Sequence, residues 1–144
     1  MPPLPSRLAA RIGRRGAALS FFALLDAVYC IALLTPPRPL VPFYAWMDRV
    51  VPLPVWAAVW GFVAAVCAVY MFCQHDTPAF MCAVSLKVAW GLMAAYGWIA
   101  GHVDRGWLSA IIWLMFASFV YLIAGGIPAP PRPLRGWPWT RPSG

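Results

Sequence analysis

Four long runs of apolar residues, separated by polar connections, dominate the pattern along the chain. The runs cover about residues 17–34, 54–73, 79–100 and 107–127. Each is 18 to 22 residues long, close to the ~20 residues that an α-helix needs to cross the hydrocarbon of a bilayer. The pattern predicts an all-α integral membrane protein. Because the connections at 74–78 and 101–106 are short, we expect an antiparallel bundle of four transmembrane helices.

The longest connection, residues 35–53, carries a smaller periodic pattern. Apolar residues follow one another there at intervals of three and four positions, namely Phe43, Trp46, Met47, Val50 and Val51. This spacing predicts a short amphipathic helix that lies on the bilayer surface between the first two spans. Prolines on both sides keep it short.

Both ends of the chain differ from the apolar middle. Residues 1–16 form a basic segment, and residues 128–144 form a flexible tail rich in Pro, Trp and Arg. The basic segment and first apolar run resemble a signal peptide. However, the run is long, contains an Asp and has no A-x-A cleavage site, so we interpret it as an uncleaved span. The tail suits contact with an anionic bilayer surface. Alternatively, the tail is itself a proline-rich ligand for a peptide-binding domain such as SH3.

Composition makes lipid the solvent for most of this chain. Hydrophobic residues make up 62% and charged residues 10%, with a mean hydropathy of +0.72, whereas soluble domains carry about 25% charged residues. The net charge is +7, and the arginines flank the apolar runs. This placement favours anionic lipid headgroups over nucleic acid as the partner.

The distribution of arginines predicts the orientation. The two termini together carry seven arginines, while the connections 35–53 and 101–106 carry Arg38, Arg49 and Arg105. The positive-inside rule therefore predicts cytoplasmic termini in a bacterial inner membrane. An interfacial belt of apolar and aromatic side chains is then expected near the outer surface, comprising Phe43, Trp46, Met47, Trp56, Trp98 and Trp107.

Two charged residues lie deep in the apolar runs. Asp26 is nine residues into the first span and Lys87 is eight residues into the third, which places both roughly 12–14 Å deep at 1.5 Å per residue. Each charge alone costs about 2.5–3.5 kcal/mol in a bilayer. Matched depth predicts an intramembrane ion pair between touching spans one and three. It serves either as a fixed packing element or as a proton or ion relay.

Small and polar residues near this pair complete the prediction. Tyr29 and Ser85 are candidates to supply further hydrogen bonds. Helix packing is expected at small residues, of which Ala83, Gly91 and Ala95 share the face of Lys87, while Gly61 and Gly97 belong to two separate small-residue stripes. Such stripes allow close approach of helices, either within one chain or between copies.

No motif for catalysis or cofactor binding stands out. The four cysteines lie in or beside apolar runs and are interpreted as small apolar residues. Cys73, His75, Asp76 and Cys82 surround one connection, but their spacing matches no zinc pattern, so a solvated turn is expected. We therefore predict no enzyme activity, no metal and no cofactor.

Three segments carry a resemblance to a known class of protein. They are R-G-A-A-L-S-F-F-A-L-L-D-A-V-Y, A-V-S-L-K-V-A-W-G-L and R-G-W-L-S-A-I-I-W-L-M-F-A-S-F-V, and the likeness covers most of residues 15–127. They resemble small four-span membrane proteins of phages that infect high-GC actinobacteria. Such proteins are often described as holin-like, so the resemblance implies a protein that oligomerises and permeabilises the membrane. It implies no catalytic residues.

Two other functions fit the same residues. One is a non-pore accessory or exclusion module that binds another membrane protein. The other is a small proton-coupled transporter that uses Asp26. The holin-like hypothesis predicts a homo-oligomer, and the accessory hypothesis predicts a heterologous membrane partner.

Overall fold

The structure, a computed structural model, describes residues 4–36, 38–73 and 75–126, with side chains from Arg15 onward. This part of the chain forms five α-helices and no strand. They are α1 (Leu4–Leu34), α2 (Pro42–Val50), α3 (Leu53–Tyr70), α4 (Thr77–Ile99) and α5 (Gly106–Gly126). The tail at 128–144, with its predicted lipid contact, lies outside the described residues.

Four of these helices are long and apolar enough to cross a membrane, namely α3, α4, α5 and the part of α1 from Arg15 onward. The bounds of α3, α4 and α5 lie within three residues of the predicted spans. The first helix differs, because it begins at Leu4. Most of the segment predicted as a separate basic N-terminus therefore continues the first span as helix.

Prolines and one glycine determine where several helices begin and end. Pro42, Pro54 and Pro78 lie in the first turns of α2, α3 and α4. Proline is tolerated there because a backbone N–H in the first turn has no acceptor within the helix. At the end of α4, Gly101 adopts φ +72°. The N–H groups of Gly101 and His102 bond to the carbonyls of Trp98 and Gly97, which is a Schellman motif. The positive φ explains the glycine at position 101.

The link between α2 and α3 is fixed by a side chain. One oxygen of Asp48 accepts a hydrogen bond of 2.9 Å from the backbone N–H of Leu53, the first residue of α3. This bond satisfies an N–H group that has no partner within the helix. Asp48 thus holds α2 against the start of α3.

The long helices pack in two close pairs. Helix α1 runs along α3, and α4 runs along α5. The two pairs meet mainly through α3 and α4, while α1 approaches α4 and α5 at fewer points. A continuous core of apolar and aromatic side chains fills the space between them.

The apolar stripe of α2 packs mainly on the protein, although Val50 is 55% exposed, and the interfacial location expected for this helix stays a prediction. Met47 is completely buried, and the ring of Phe43 lies 5.8 Å from that of Trp90 in α4. Trp46 packs against Gly97 and stacks with His102. Helix α2 therefore covers one end of the core.

The small residues are used for packing within the chain. A Cβ atom at Gly61 would lie 3.1 Å from the Sγ atom of Cys30, and one at Gly97 would lie 3.1 Å from the ring of Trp46. A Cβ atom at Gly91 would lie 3.0 Å from the Leu114 side chain in α5. We expected this face of α4 to pack against α1. At Gly91 it packs against α5 instead. Ala83 is fully buried, and Ala95 is half-buried.

Replacing Gly106 by alanine is expected to destabilise the protein. The added Cβ atom would lie 2.5 Å from the Ala94 carbonyl oxygen and 2.9 Å from the Cβ atom of Trp98, so α4 and α5 must move apart. Overpacking of this kind costs about 1–3 kcal/mol, measurable as the free energy of unfolding in mixed micelles.

Gly125→Ala is the matched control, because a Cβ atom there meets nothing within 4 Å. The control is expected to be neutral or slightly stabilising, since alanine favours the helix. Equal stability of the two variants would show that α4 and α5 do not approach at Gly106.

Candidate functional site

The structure brings Asp26 and Lys87 together in an ion pair at the centre of the helices. Asp26 lies on α1 and Lys87 on α4, and both residues are 0% exposed. The Lys87 Nζ atom donates a hydrogen bond to Oδ1 of Asp26. Since neither charge reaches solvent, each provides the main compensation for burying the other.

Aromatic rings surround the ammonium group. The Nζ atom lies 5.2 Å from the ring centre of Trp60 and 6.0 Å from that of Phe22, distances at which a cation is attracted to the face of a ring. Trp60 in turn packs edge-on against Trp90 and Trp113, at 5.2 and 5.5 Å between ring centres. The ion pair therefore sits inside an aromatic core contributed by all four long helices.

The sequence predictions for this core were incomplete. Trp60, Trp90 and Trp113 were not singled out, although their positions in the middle of apolar runs set them apart from tryptophans at a membrane surface. Trp90 also lies three residues after Lys87, on the same helical face. Trp56 was predicted at the interface, but its ring packs against Trp90 at 5.7 Å and its N–H is buried. Trp56 is thus partly buried and packed against the core, and its location relative to a bilayer surface stays a prediction.

The two candidates for further hydrogen bonds occupy different places. The ring of Tyr29 stacks on Trp60, with 4.5 Å between ring centres. Ser85 is exposed and does not join the ion pair, because residues two positions apart point to nearly opposite sides of a helix. Within the described part of the chain, Oδ2 of Asp26 is buried without a hydrogen-bond partner.

A second ion pair closes one end of the helices. Arg15 donates from Nε and Nη2 to the two carboxylate oxygens of Asp76, both at 2.7 Å. Its Nη1 atom donates to the carbonyl oxygen of Ala124, also at 2.7 Å, and its guanidinium carbon lies 4.9 Å from the ring centre of Phe80. We call Arg15, Asp76, Phe80 and Ala124 the arginine clasp. It joins α1, the start of α4 and the end of α5.

The clasp corrects the prediction of a solvated turn at 74–78 for Asp76 alone, since the other described residues of this connection are exposed. Cys73 and His75 are exposed, but Asp76 is only 7% exposed because its carboxylate faces Arg15. Bidentate pairing between arginine and a carboxylate is among the stronger polar interactions in proteins. Sequence reasoning missed it because Arg15 was assigned to the basic N-terminal segment.

The two ion pairs share one spacing. Asp76 follows Arg15 by 61 positions, and Lys87 follows Asp26 by 61 positions. The charges are therefore 11 residues apart on each helix (26 − 15 and 87 − 76), which is about three helical turns and one helical face. Their order is positive then negative on α1, and negative then positive on α4. A search for complementary charges at equal spacing would have found both pairs.

The remaining titratable side chains form no metal site in the part of the chain that the structure describes, where no group of three His, Cys, Asp or Glu residues comes together. The four cysteines are free thiols. The chemistry of the described region is thus concentrated in the two ion pairs and the aromatic core.

Comparison with protein-family models, with curated protein sequences and with solved structures gives no match. The two ion pairs and their packing are therefore the basis for a functional proposal.

Replacing one member of the central pair is expected to be costly. Asp26→Asn and Lys87→Met each leave one buried charge without its partner, which typically costs about 3–5 kcal/mol. The double variant removes both charges and is expected to recover most of this loss. The free energy of unfolding in mixed micelles measures all three variants.

Asp104→Asn serves as the control, because Asp104 is exposed in the connection before α5. It is expected to change stability by less than about 0.5 kcal/mol. If the losses of the two single variants simply add in the double variant, Asp26 and Lys87 are not coupled.

Replacing Asp76 is expected to loosen the end of α5. Asp76→Asn removes the charge that holds Arg15, and hydrogen bonds to charged groups contribute about 1.5–3 kcal/mol. We expect the free energy of unfolding to fall by that amount. We also expect faster hydrogen exchange in the last turns of α5, because Arg15 donates a hydrogen bond to the Ala124 carbonyl as well. Unchanged exchange there, with Asp104→Asn as reference, would contradict the clasp.

Proposed function

We propose that this chain is a multi-pass protein of the bacterial inner membrane, with both termini in the cytoplasm. Four helices of sufficient length and apolarity support the membrane location. The excess of arginines at the two ends of the sequence supports the orientation. Trp98 and Trp107 are 47% and 45% exposed at the end of the helices opposite the arginine clasp, which suits a bilayer interface at that end but does not bear on the orientation.

The two ion pairs support an antiparallel arrangement of neighbouring spans. A constant offset of 61 positions in both pairs is what two helices running in the same direction produce. If α4 ran the other way beside α1, the equal spacing would bring Arg15 opposite Lys87 and Asp26 opposite Asp76. Like charges would then meet in a low-dielectric interior. Parallel spans one and three require span two to return between them.

Helix α2 completes this arrangement at the outer surface. Its apolar stripe packs on α3 and α4, while Asp48 and Arg49 are exposed. Polar residues directed away from the core suit the headgroup region. We propose that α2 covers the aromatic core at that surface.

Within this setting, we propose that the protein is a stably folded, non-pore accessory module that binds another membrane protein. The observation that carries this proposal is the internal pairing of Asp26 with Lys87 at zero exposure. With both charges compensated inside one chain, neither is left to line a water-filled path or to pair with a second copy. The small residues that were candidates for oligomer contacts also pack within the chain.

The surface left for a partner is the apolar exterior of the spans. On α1, exposed residues such as Leu24, Val28 and Ile31 form one continuous face, and α3 presents Phe62 and Val69. In a bilayer such faces contact lipid or the helices of other proteins. An accessory module would use one of them.

A proton-coupled transporter is the second candidate, and one specific observation favours it. The Oδ2 atom of Asp26 is buried with no hydrogen-bond partner among the described residues, so it is available to accept a proton. In this case Asp26→Asn abolishes transport while the protein still inserts and folds. The holin-like function implied by the sequence resemblance is the third outcome of the same experiment.

Membrane potential after induced expression in a bacterial host separates these functions. We compare the unchanged protein with Asp26→Asn and Lys87→Met at matched membrane abundance. An accessory module leaves the potential intact in all three, because it forms no pore whether or not the two charges are paired. Rapid depolarisation by the unchanged protein would contradict this proposal and favour the holin-like function. Potential-dependent substrate flux that is lost only in Asp26→Asn would favour the transporter.

A further inference from the structure

The central ion pair leaves hydrogen-bonding capacity unused on both of its members. Oδ2 of Asp26 is buried and has no hydrogen-bond partner in the part of the chain that the structure describes. The ammonium of Lys87 carries three N–H donors, and one of them bonds to Oδ1 of Asp26. Leaving a buried carboxylate oxygen without a partner is costly, and a buried ion pair needs further hydrogen bonds to satisfy both groups. The pair therefore needs a third group that both accepts and donates.

The side chains around the pair do not supply this third group. Aromatic rings face the ammonium, with Nζ 5.2 Å from the ring centre of Trp60 and 6.0 Å from that of Phe22. The face of a ring attracts a cation, but it donates no hydrogen bond to a carboxylate. The indole N–H of Trp60 is itself buried without a partner among the described residues, so it does not bond to Oδ2.

One water molecule can connect the two unused groups. Oδ1 and Oδ2 share one carbon atom, so Oδ2 lies within about 5 Å of Nζ when Oδ1 accepts the hydrogen bond of the ammonium. Two hydrogen bonds of about 2.8 Å each, meeting at one water oxygen, span a separation of this size. Water also has the required chemistry, because it accepts from an N–H group and donates to a carboxylate oxygen.

Small side chains border the pair on the side of the arginine clasp. Helices α1 and α4 approach each other at few points, so side chains fill most of the space between them. About one helical turn before the two charged residues stand Ala23 on α1, packed against the core, and Ala83 on α4, which is 0% exposed. Two methyl groups thus border the pair where larger side chains would exclude a solvent molecule.

We propose that one buried water molecule is an integral part of this site. It accepts a hydrogen bond from Nζ of Lys87 and donates one to Oδ2 of Asp26, so that both charged groups gain a second partner. The surrounding apolar and aromatic side chains separate this water from other solvent. The inference goes beyond the proposed function and does not depend on it, because it follows from the ion pair alone.

Solid-state NMR with magnetisation transfer from water tests this site in the full chain, reconstituted in lipid bilayers. Transfer is expected to the ammonium of Lys87 and to the side-chain carboxyl carbon of Asp26, which has no exchangeable proton while it is charged. Ala94 and Val120 are both 0% exposed and serve as dry references in the same sample, because apolar interiors hold no water.

Two results would overturn the proposal. The first is the absence of transfer to the Asp26 carboxyl carbon, since a water bonded to Oδ2 must transfer magnetisation to it. The second is equal transfer to Ala94 and Val120, which would show solvent throughout the core instead of one bound molecule.

A double variant tests whether the two charged groups hold the water. Asp26→Leu with Lys87→Met removes both polar partners, and replacing a buried ion pair by apolar residues of similar volume is often neutral or stabilising. Transfer from water to the side-chain methyl groups at positions 26 and 87 is expected to be absent, because apolar cavities stay dry. Asp104→Asn alters an exposed residue and is expected to leave the transfer to Asp26 and Lys87 unchanged. Transfer that persists in the double variant would contradict the assignment.

Discussion

The ion pair between Asp26 and Lys87 is the constraint on which the rest of the structure depends. Neither side chain can face hydrocarbon at acceptable cost, so α1 and α4 must present these positions to each other at the centre of the helices. Trp60 and Phe22 then close around the ammonium, and the surrounding tryptophans bring α3 and α5 into the same core. A pair of charges thus determines how four otherwise uniformly apolar helices meet.

Apolar surfaces alone would specify this arrangement poorly. Between helices in lipid there is little hydrophobic preference for one face over another, so polar and aromatic side chains must select register and direction. The arginine clasp adds a second fixed point 11 residues from the first. Because the order of charges is reversed between α1 and α4, sliding one helix by three turns or reversing it brings like charges together. The sign pattern therefore excludes the main alternatives as well as stabilising one arrangement.

The sequence predicted the parts of the fold that depend on length and depth. Long apolar runs located the spans to within a few residues for α3, α4 and α5, and matched depth related Asp26 to Lys87. Features that depend on the choice of partner were not predictable in the same way. Periodicity in α2 identified an apolar stripe but could not show that part of it packs on Trp90 and Gly97. Likewise, Gly91 marked a close approach without showing that α5 makes it. The pairing of Arg15 with Asp76 was missed because Arg15 was assigned to the basic N-terminal segment, although the equal spacing of the charges contains it.

Solid-state NMR of the isotope-labelled protein in lipid bilayers tests the central claim most directly, because Lys87 is the only lysine in the chain and its ammonium nitrogen gives one assignable signal. We expect a charged-amine nitrogen shift for Lys87 and a through-space contact between its Nζ and the side-chain carboxyl carbon of Asp26. A signal in contact with water, with no correlation to any aspartate carboxyl, would contradict the account.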